Sequence, residues 1–255
     1  MKFSIITPTY KRRTELERAI SSLIRQTHSD WEMIIVNDSP HDESYNNFVV
    51  NDPRIRYYIN DRNKGVNFSR NVGLEKNSAG SKWVIFLDDD DYLAPDCLKN
   101  FMDLILVHGE EKWFMTNRAK KNGESLTITT RGEGTYSYAR DYLLLRRIKG
   151  DATHCIENRL LQQNRITFLK TVKQGEEWFF FYQVGLHTKI MYSGHNSTIS
   201  GGYDTSSGLN FRERSFQEKY QTLVKIFYEG VSAKIISGSF LLYMSLRSIK
   251  LIIGK

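Results

Sequence analysis

Residues Phe86-Leu87-Asp88-Asp89-Asp90-Asp91-Tyr92 set four consecutive carboxylates directly behind Trp83-Val84-Ile85-Phe86-Leu87, a run with the apolar, aromatic and β-branched character of a buried strand. Adjacent carboxylates repel, and burying one without a partner is costly or drives its pKa upward. A cation is therefore expected at this strand end. Carboxylate oxygens are hard ligands suited to Mg²⁺ or Mn²⁺, ions that commonly complete their shells with substrate phosphates. The competing explanation is an acidic turn capping a helix that starts near Pro95 and Asp96, although a cap needs one acid rather than four.

The flanking pattern predicts what must position these groups. Phe3-Ser4-Ile5-Ile6 reads as a short strand. Thr14 to Gln26 reads as a helix carrying Leu16, Ile20, Leu23 and Ile24, with Thr14 and Glu17 in a capping-box pattern. Trp31 to Val36 is a strand stopping at Asn37-Asp38-Ser39-Pro40, Ile55 to Ile59 another, Asn67 to Lys76 a helix, and Lys82 to Leu87 a strand. This alternation predicts an α/β fold with a mostly parallel central sheet flanked by helices. Ligands of such sheets lie outside the carboxyl ends of the strands. Thr7-Pro8-Thr9-Tyr10, Asn37-Asp38 and Asp88 to Asp91 all fall at those ends, which predicts one site. In the second half, Tyr138 to Ile148, Glu157 to Asn164 and the aromatic-rich Glu176 to Leu186 read as helices, and Ser193 to Gly208 as a Gly- and Ser-rich loop.

Composition narrows the class. With 40% hydrophobic and 13% aromatic residues the 255-residue chain can bury a full core. Cys97 and Cys155 are too few for a disulfide framework and suit a reducing compartment. MKFSIITPTYKRR reads as a strand rather than a signal peptide, so a cytoplasmic location is expected. The net charge of +7 invites a polyanion or an anionic membrane. From Phe211 to Lys255 eight basic residues face three acidic ones, a net +5, and Lys234, Arg247 and Lys250 keep the apolar runs well short of the ~20 residues that span a bilayer. This tail is either an interfacial amphipathic helix or a helix packed on the domain with a solvated basic face. Dense, aromatic-interleaved basic patches are missing, so nucleic acid is not an expected partner. A sugar-nucleotide pyrophosphorylase would need a Gly-rich basic loop after Ile5-Ile6, and none is there.

SIITPTYKR, SLIRQTHSDWEMIIVND, NKGVNFSRNVGL and FLDDDDYLAPDCL, in that order and spacing, resemble the family-two glycosyltransferases with the GT-A fold. The resemblance is strong over about the first hundred residues and resumes at Gly175-Glu176-Glu177. It implies a GT-A domain over 1–210, with a nucleotide-binding half at 1–100, an acceptor-binding half at 101–210 and a helical tail at 211–255. It further implies an inverting, Mn²⁺- or Mg²⁺-dependent enzyme with a UDP-sugar donor and a saccharide or lipid-linked glycan acceptor in cell-surface glycan synthesis; the basic, apolar tail adds to the cytoplasmic expectation the option of docking peripherally on the inner face of the cytoplasmic membrane.

The same resemblance assigns residues. Thr7, Pro8, Thr9 and Tyr10 would contact the nucleoside, and Asp38 would accept from the uracil imide, with Asn37 standing where the family usually has a second acid. Arg70 matches a nucleotide-contacting arginine, Asn71 and Gly73 match positions shaping the helix start, and Asn63 and Gly65 read as a turn. Asp88 and Asp90 take the Asp-any-Asp positions, Asp90 as metal ligand and Asp88 on metal or ribose, with Asp89 in the variable middle place and Asp91 as the acid that often follows. Glu176 and Glu177 occupy the family's Glu-Asp pair, Glu177 being the candidate base in place of the usual Asp; both also suit an ordinary helix start. His195 lies where related enzymes often carry a loop over the diphosphate, as a metal or phosphate ligand or simply exposed. Because Asn37 and Glu177 depart from the pattern, a degenerate, non-catalytic relative is the alternative.

Overall fold

Phe3–Thr9 (β1) and Trp31–Asn37 (β2) are buried at every position, as strands covered on both faces must be. The computed structural model describes residues 1–201 and 214–253. Around these two strands the chain adds α1 (Arg13–Ile24, between them), β3 (Ile55–Ile59), α2 (Val66–Lys76), β4 (Trp83–Phe86), β5 (Tyr92–Leu93), α3 (Cys97–Val107) and β6 (Trp113–Ala119). There follow β7 (Thr127–Thr129), β8 (Gly134–Tyr136), β9 (Ile148–Gly150), β10 (Ala152–Glu157), α4 (Asn158–Gln163), α5 (Trp178–Gly185), β11 (Ile190–Ile199), α6 (Phe216–Ser232) and α7 (Gly238–Ile253).

The main sheet runs β3-β2-β1-β4-β10-β6-β11-β5, with β8 also on β11. Its first four strands are parallel, as the alternating pattern predicts. Beyond β4 it is mixed: β10 is antiparallel to β4 and β6, while β6 and β11 run parallel. The two-residue period of the strands divides the core. Ile6, Ile34 and Val36 face the side of α5 and the tail, and Phe3, Ile5, Met33 and Ile35 face the side of α1 and α3.

Three elements differ from expectation, each for a physical reason. The Thr14–Glu17 capping box does not form, because the N-cap is Arg12, two positions before Thr14, and carries no side-chain cap; Glu17 instead accepts from Arg13 Nε at 2.8 Å. The loop expected from Ser193 is a strand as far as Ile199. It pairs with β6 across two register shifts, at Ser193/Asn196 and Asn196/Thr198, so irregularity is absorbed within the ladder. Residues 202–208 of that expected loop, and the expected boundary after residue 210, lie outside the described residues.

The tail is two helices rather than one. A Ser215–Glu218 capping box starts α6, and α7 inserts Phe240 and Met244 into the core against Trp178 and Tyr182. No described helix is long and apolar enough to cross a membrane.

A wide helical turn over Tyr138–Leu144 stands where a longer helix was expected, and it carries the fully buried Asp141. Burial alone would raise this carboxyl's pKa. Hydrogen bonds from Arg140 at 2.9 and 3.2 Å, the Ser137 amide at 2.8 Å and Arg147 at 3.0 Å outweigh it and hold the group at about 2. A depressed native pKa stabilises the fold above the unfolded value, near 4, and that contribution is lost as pH falls toward 2. Urea unfolding of wild type and Asp141→Asn at stepped pH is expected to show a stability gap that is constant above about pH 5 and narrows between pH 4 and 2.

Candidate functional site

At the carboxyl edge of β1, β2 and β4 the three polar clusters meet. The Asp38 amide donates to the Thr9 carbonyl at 2.8 Å and the Tyr10 amide to Asp89 Oδ2 at 3.3 Å. Thr9 Oγ1 shares a 2.7 Å hydrogen bond with the Tyr45 hydroxyl. Pro8 is buried, Thr7 Oγ1 is buried with no hydrogen-bond partner among the described residues, and the Tyr10 ring is 39% exposed. Asp38 is buried and organises the neighbouring loop: Oδ1 accepts from Asn60 Nδ2 and the Lys64 amide, both at 2.8 Å, and Oδ2 from the Gly65 amide at 2.7 Å. Gly65 takes φ +95° there, and a Cβ would meet the Lys173 carbonyl oxygen at 2.3 Å, so only glycine fits the turn before α2. Asn37 donates from Nδ2 to the Tyr57 hydroxyl and accepts at Oδ1 from the Ser39 amide and hydroxyl.

The four aspartates alternate. The side chains of Asp88 and Asp90 are 39% and 34% exposed, whereas those of Asp89 and Asp91 are 8% and 4%. Arginines from three elements compensate them. Arg70 Nη2 of α2 donates to Asp88 Oδ1 at 2.7 Å, Arg12 Nη1 to Asp90 Oδ2 at 2.6 Å and Asp89 Oδ1 at 3.4 Å, and Arg118 Nη2 of β6 to Asp91 Oδ1 at 2.8 Å. Arg18 Nη2 of α1 donates to the Asp90 carbonyl at 2.5 Å.

Burial pushes Asp89 and Asp91 up to about 7 against the pull of Arg12 and Arg118, and the neighbouring carboxylates add to the rise. Burial also acts on Asp88, but Arg70 and, more weakly, Arg118 outweigh it and hold that carboxyl below its ordinary value. Asp88, Asp90 and Asp91 bring one oxygen each to within 4.8 Å of one another, a hard-oxygen set that fits Mg²⁺ or Mn²⁺. His195 is not in this group. Its exposed ring borders a shallow groove with Asn100, Asp103 and His108, at and just after α3.

The chain's second half closes the site from the other side. Asn67 Nδ2 donates to the Val172 and Gly175 carbonyls at 2.9 and 3.1 Å, and Asn71 exchanges hydrogen bonds with Phe168, so α2 holds the segment leading to α5. Gly73 lies in the body of α2, where a Cβ would meet Ile6 Cγ2 at 2.3 Å, and so lets the helix sit close on β1. Glu177, at the N-cap of α5, accepts from Arg70 Nη1 at 3.1 Å, and Arg70 thereby bridges Asp88 and Glu177. The two glutamates part. Glu176, at φ +64°, sends a side chain only 4% exposed to the tail, where Arg247 of α7 and Trp178 Nε1 donate to it. Trp178 packs in the core, tilted against Phe240 and edge-on to Tyr243. Cys155 is buried and His154 is half-buried, its Nδ1 accepting from Trp113 Nε1 at 3.1 Å; desolvation lowers the His154 pKa to about 3.

A family model described as glycosyl transferase family 2 matches residues 4–166, well over half of the chain. The chain belongs to that family. A Campylobacter jejuni GalNAc(5)-diNAcBac-PP-undecaprenol beta-1,3-glucosyltransferase is 38% identical over 105 residues, 40% of this chain and 33% of that protein. The putative colanic acid biosynthesis glycosyl transferase WcaA of Escherichia coli is 41% identical over 102 residues, 39% of this chain and 36% of that protein. The chain thus covers about a third of the length of these relatives. Among solved structures, S. aureus TarS in complex with UDP superposes with a TM-score of 0.67 at 23% identity over 89% of this chain and 64% of that one. The TarS complex with UDP-GlcNAc gives 0.66 at 22% identity over 88% and 66%. At these identities the likeness establishes the fold.

Arg12, Arg18 and Arg118 escaped the sequence reading. The basic run Lys11-Arg12-Arg13 immediately behind the first strand's polar end was the available signal for Arg12; Arg118 carried none, because its strand pairs far from β4 in sequence. Removing one partner of a buried ion pair leaves a charge uncompensated. Arg118→Met is expected to destabilise the fold by about 3 kcal/mol. Adding Asp91→Asn should recover part of that loss in a double-mutant cycle read by denaturant unfolding.

Proposed function

We propose that this chain is an inverting glycosyltransferase that moves a sugar from a UDP-sugar to a hydroxyl of a saccharide or lipid-linked glycan in cell-surface glycan assembly. One observation carries the reading: Arg70 ties Asp88 to Glu177, setting a half-exposed carboxylate from the second half of the chain beside the aspartate group of the first. Tyr10 and Asp38 line the edge that would take the nucleoside, the ring for stacking on a base and the carboxylate for an imide N–H. Asp88, Asp90 and Asp91 would hold a divalent ion, which supplies neutralisation of the diphosphate as it leaves. Glu177 takes the proton from the acceptor hydroxyl as that oxygen bonds to the anomeric carbon. The bond from that carbon to the diphosphate oxygen breaks with its electron pair going to the diphosphate, and attack from the opposite face inverts the centre. Arg70 fixes Glu177 Oε1 and so limits the carboxylate's swing.

Metal-dependent donor binding is expected in calorimetry: UDP binds with Mn²⁺ more tightly than GDP or CMP, and EDTA or Asp90→Asn weakens it at least tenfold. Glu177→Gln should leave UDP affinity intact while lowering UDP release from UDP-sugars by about a hundredfold, in the range of general-base losses. UDP binding without turnover in the wild type would instead favour the degenerate relative.

The acceptor class draws support from the lipid-linked name of the C. jejuni relative and from the tail. Leu242, Leu246, Ile249 and Ile253 recur on one face of α7 at 47–76% exposure, beside the exposed Lys250. With a tail charge of +5, this face suits an anionic lipid surface. The full chain is expected to float with phosphatidylglycerol-containing vesicles and not with neutral ones, and Leu246→Glu with Ile249→Glu should abolish flotation. A concentration-dependent dimer lost in the same variant, without flotation, would assign the face to a second copy.

A further inference from the structure

Gly175 and Glu176 are consecutive left-handed residues, at φ +73° and +64°, immediately before Glu177. For a residue with a Cβ that conformation is strained, and it persists only where the surroundings enforce it. What enforces it here comes from the far end of the chain. Arg247 Nη1 and Nη2 donate to Glu176 Oε2 and Oε1 at 2.6 and 3.0 Å, a bidentate pair, and Trp178 Nε1 donates to Oε2 at 2.7 Å. The guanidinium lies 5.5 Å from the Trp178 ring centroid and 5.9 Å from that of Tyr243, which orders it further. Glu176 thus points to the tail while its neighbour points to Arg70, and the turn cannot relax toward an ordinary helix start without breaking the buried pair.

We infer that Arg247, on α7, is a positioning residue: by locking the left-handed turn at Glu176 it aims the Glu177 carboxylate at Arg70 and the aspartate group. This rests on the reading of Glu177 as the base. The tail is therefore part of the machinery that sets the geometry of the reaction, although none of it touches the aspartates in the described structure.

The test uses the full chain with Arg247→Ala, Arg247→Lys and the charge-swapped Glu176→Arg/Arg247→Glu pair, alongside Glu177→Gln. Hydrogen exchange at the amides of residues 175–181 reads the turn without any need for a donor. UDP release from whichever of UDP-GlcNAc, UDP-GalNAc and UDP-glucose the wild type turns over fastest reads the base. Arg247→Ala is expected to speed exchange at the turn at least tenfold and lower kcat about tenfold or more, with UDP affinity in Mn²⁺ unchanged within about twofold. Arg247→Lys should recover most of the turnover. Unchanged exchange at the turn, wild-type kcat in Arg247→Ala, or loss of UDP affinity in step with kcat overturns the inference. If Glu177→Gln turns over like the wild type, the base reading itself falls and takes this inference with it; if only Arg247→Ala does, the base reading stands.

Discussion

Four adjacent carboxylates at the end of a buried strand are a repulsion the rest of the molecule is arranged to contain. Alternate burial separates them into two half-exposed and two buried carboxylates, and three arginines, from the start of α1, from α2 and from β6, meet all four, Arg12 being shared by Asp89 and Asp90. Because these cations come from elements far apart in sequence, the cluster acts as a fold-wide constraint. The α1 entry, the seat of α2 on β1 and the pairing of β6 beyond β10 must all be correct before the aspartates are compensated. Burial pushes Asp89 and Asp91 up to about 7, so the compensation is incomplete.

The arginine at the centre, Arg70, is buried and reaches two carboxylates that neither alternate strand burial nor helix periodicity could have brought together. Asn67 and Asn71, on its own helix, clamp the segment before Glu177, so one helix supplies both the cation and the brace for the carboxylate it bonds. The first and second halves of the chain meet here through a short polar seam as well as through hydrophobic packing.

Much of this was legible. Strand ends marked by Thr-Pro-Thr-Tyr, Asn-Asp and the aspartate run could be placed on one edge because parallel strands share a direction, and Asp38, Arg70, Asp88 and Asp90 all lie at that edge. What escaped was whatever depended on tertiary competition. The Thr14–Glu17 box lost to an earlier helix start, with Arg12 at the N-cap drawn to the aspartates. The Ser193-Gly194 stretch, loop-like by composition, became a strand because β6 offered it a ladder. Glu176 and Glu177, indistinguishable as residues, point in opposite directions because of a backbone conformation that no local propensity favours. His195, read as a metal or phosphate ligand or simply as exposed, falls in the register shift of β11 and is exposed beside the α3 groove.

The packing of the tail on the domain leaves one face of α7 exposed. A helix packed on the domain and a helix suited to an interface differ only if one face must do both jobs. In α7 the buried Phe240 and Met244 and the ion-paired Arg247 face inward, while Leu242, Leu246, Ile249 and Ile253 stay exposed on the opposite side. The inward face is tied to the residue before Glu177, so whatever settles on the outward face acts on a helix already coupled to the cleft. The two faces lie close together, since Arg247 and Leu246 are adjacent in the chain and α7 is only about 24 Å long at about 1.5 Å per residue over its sixteen positions.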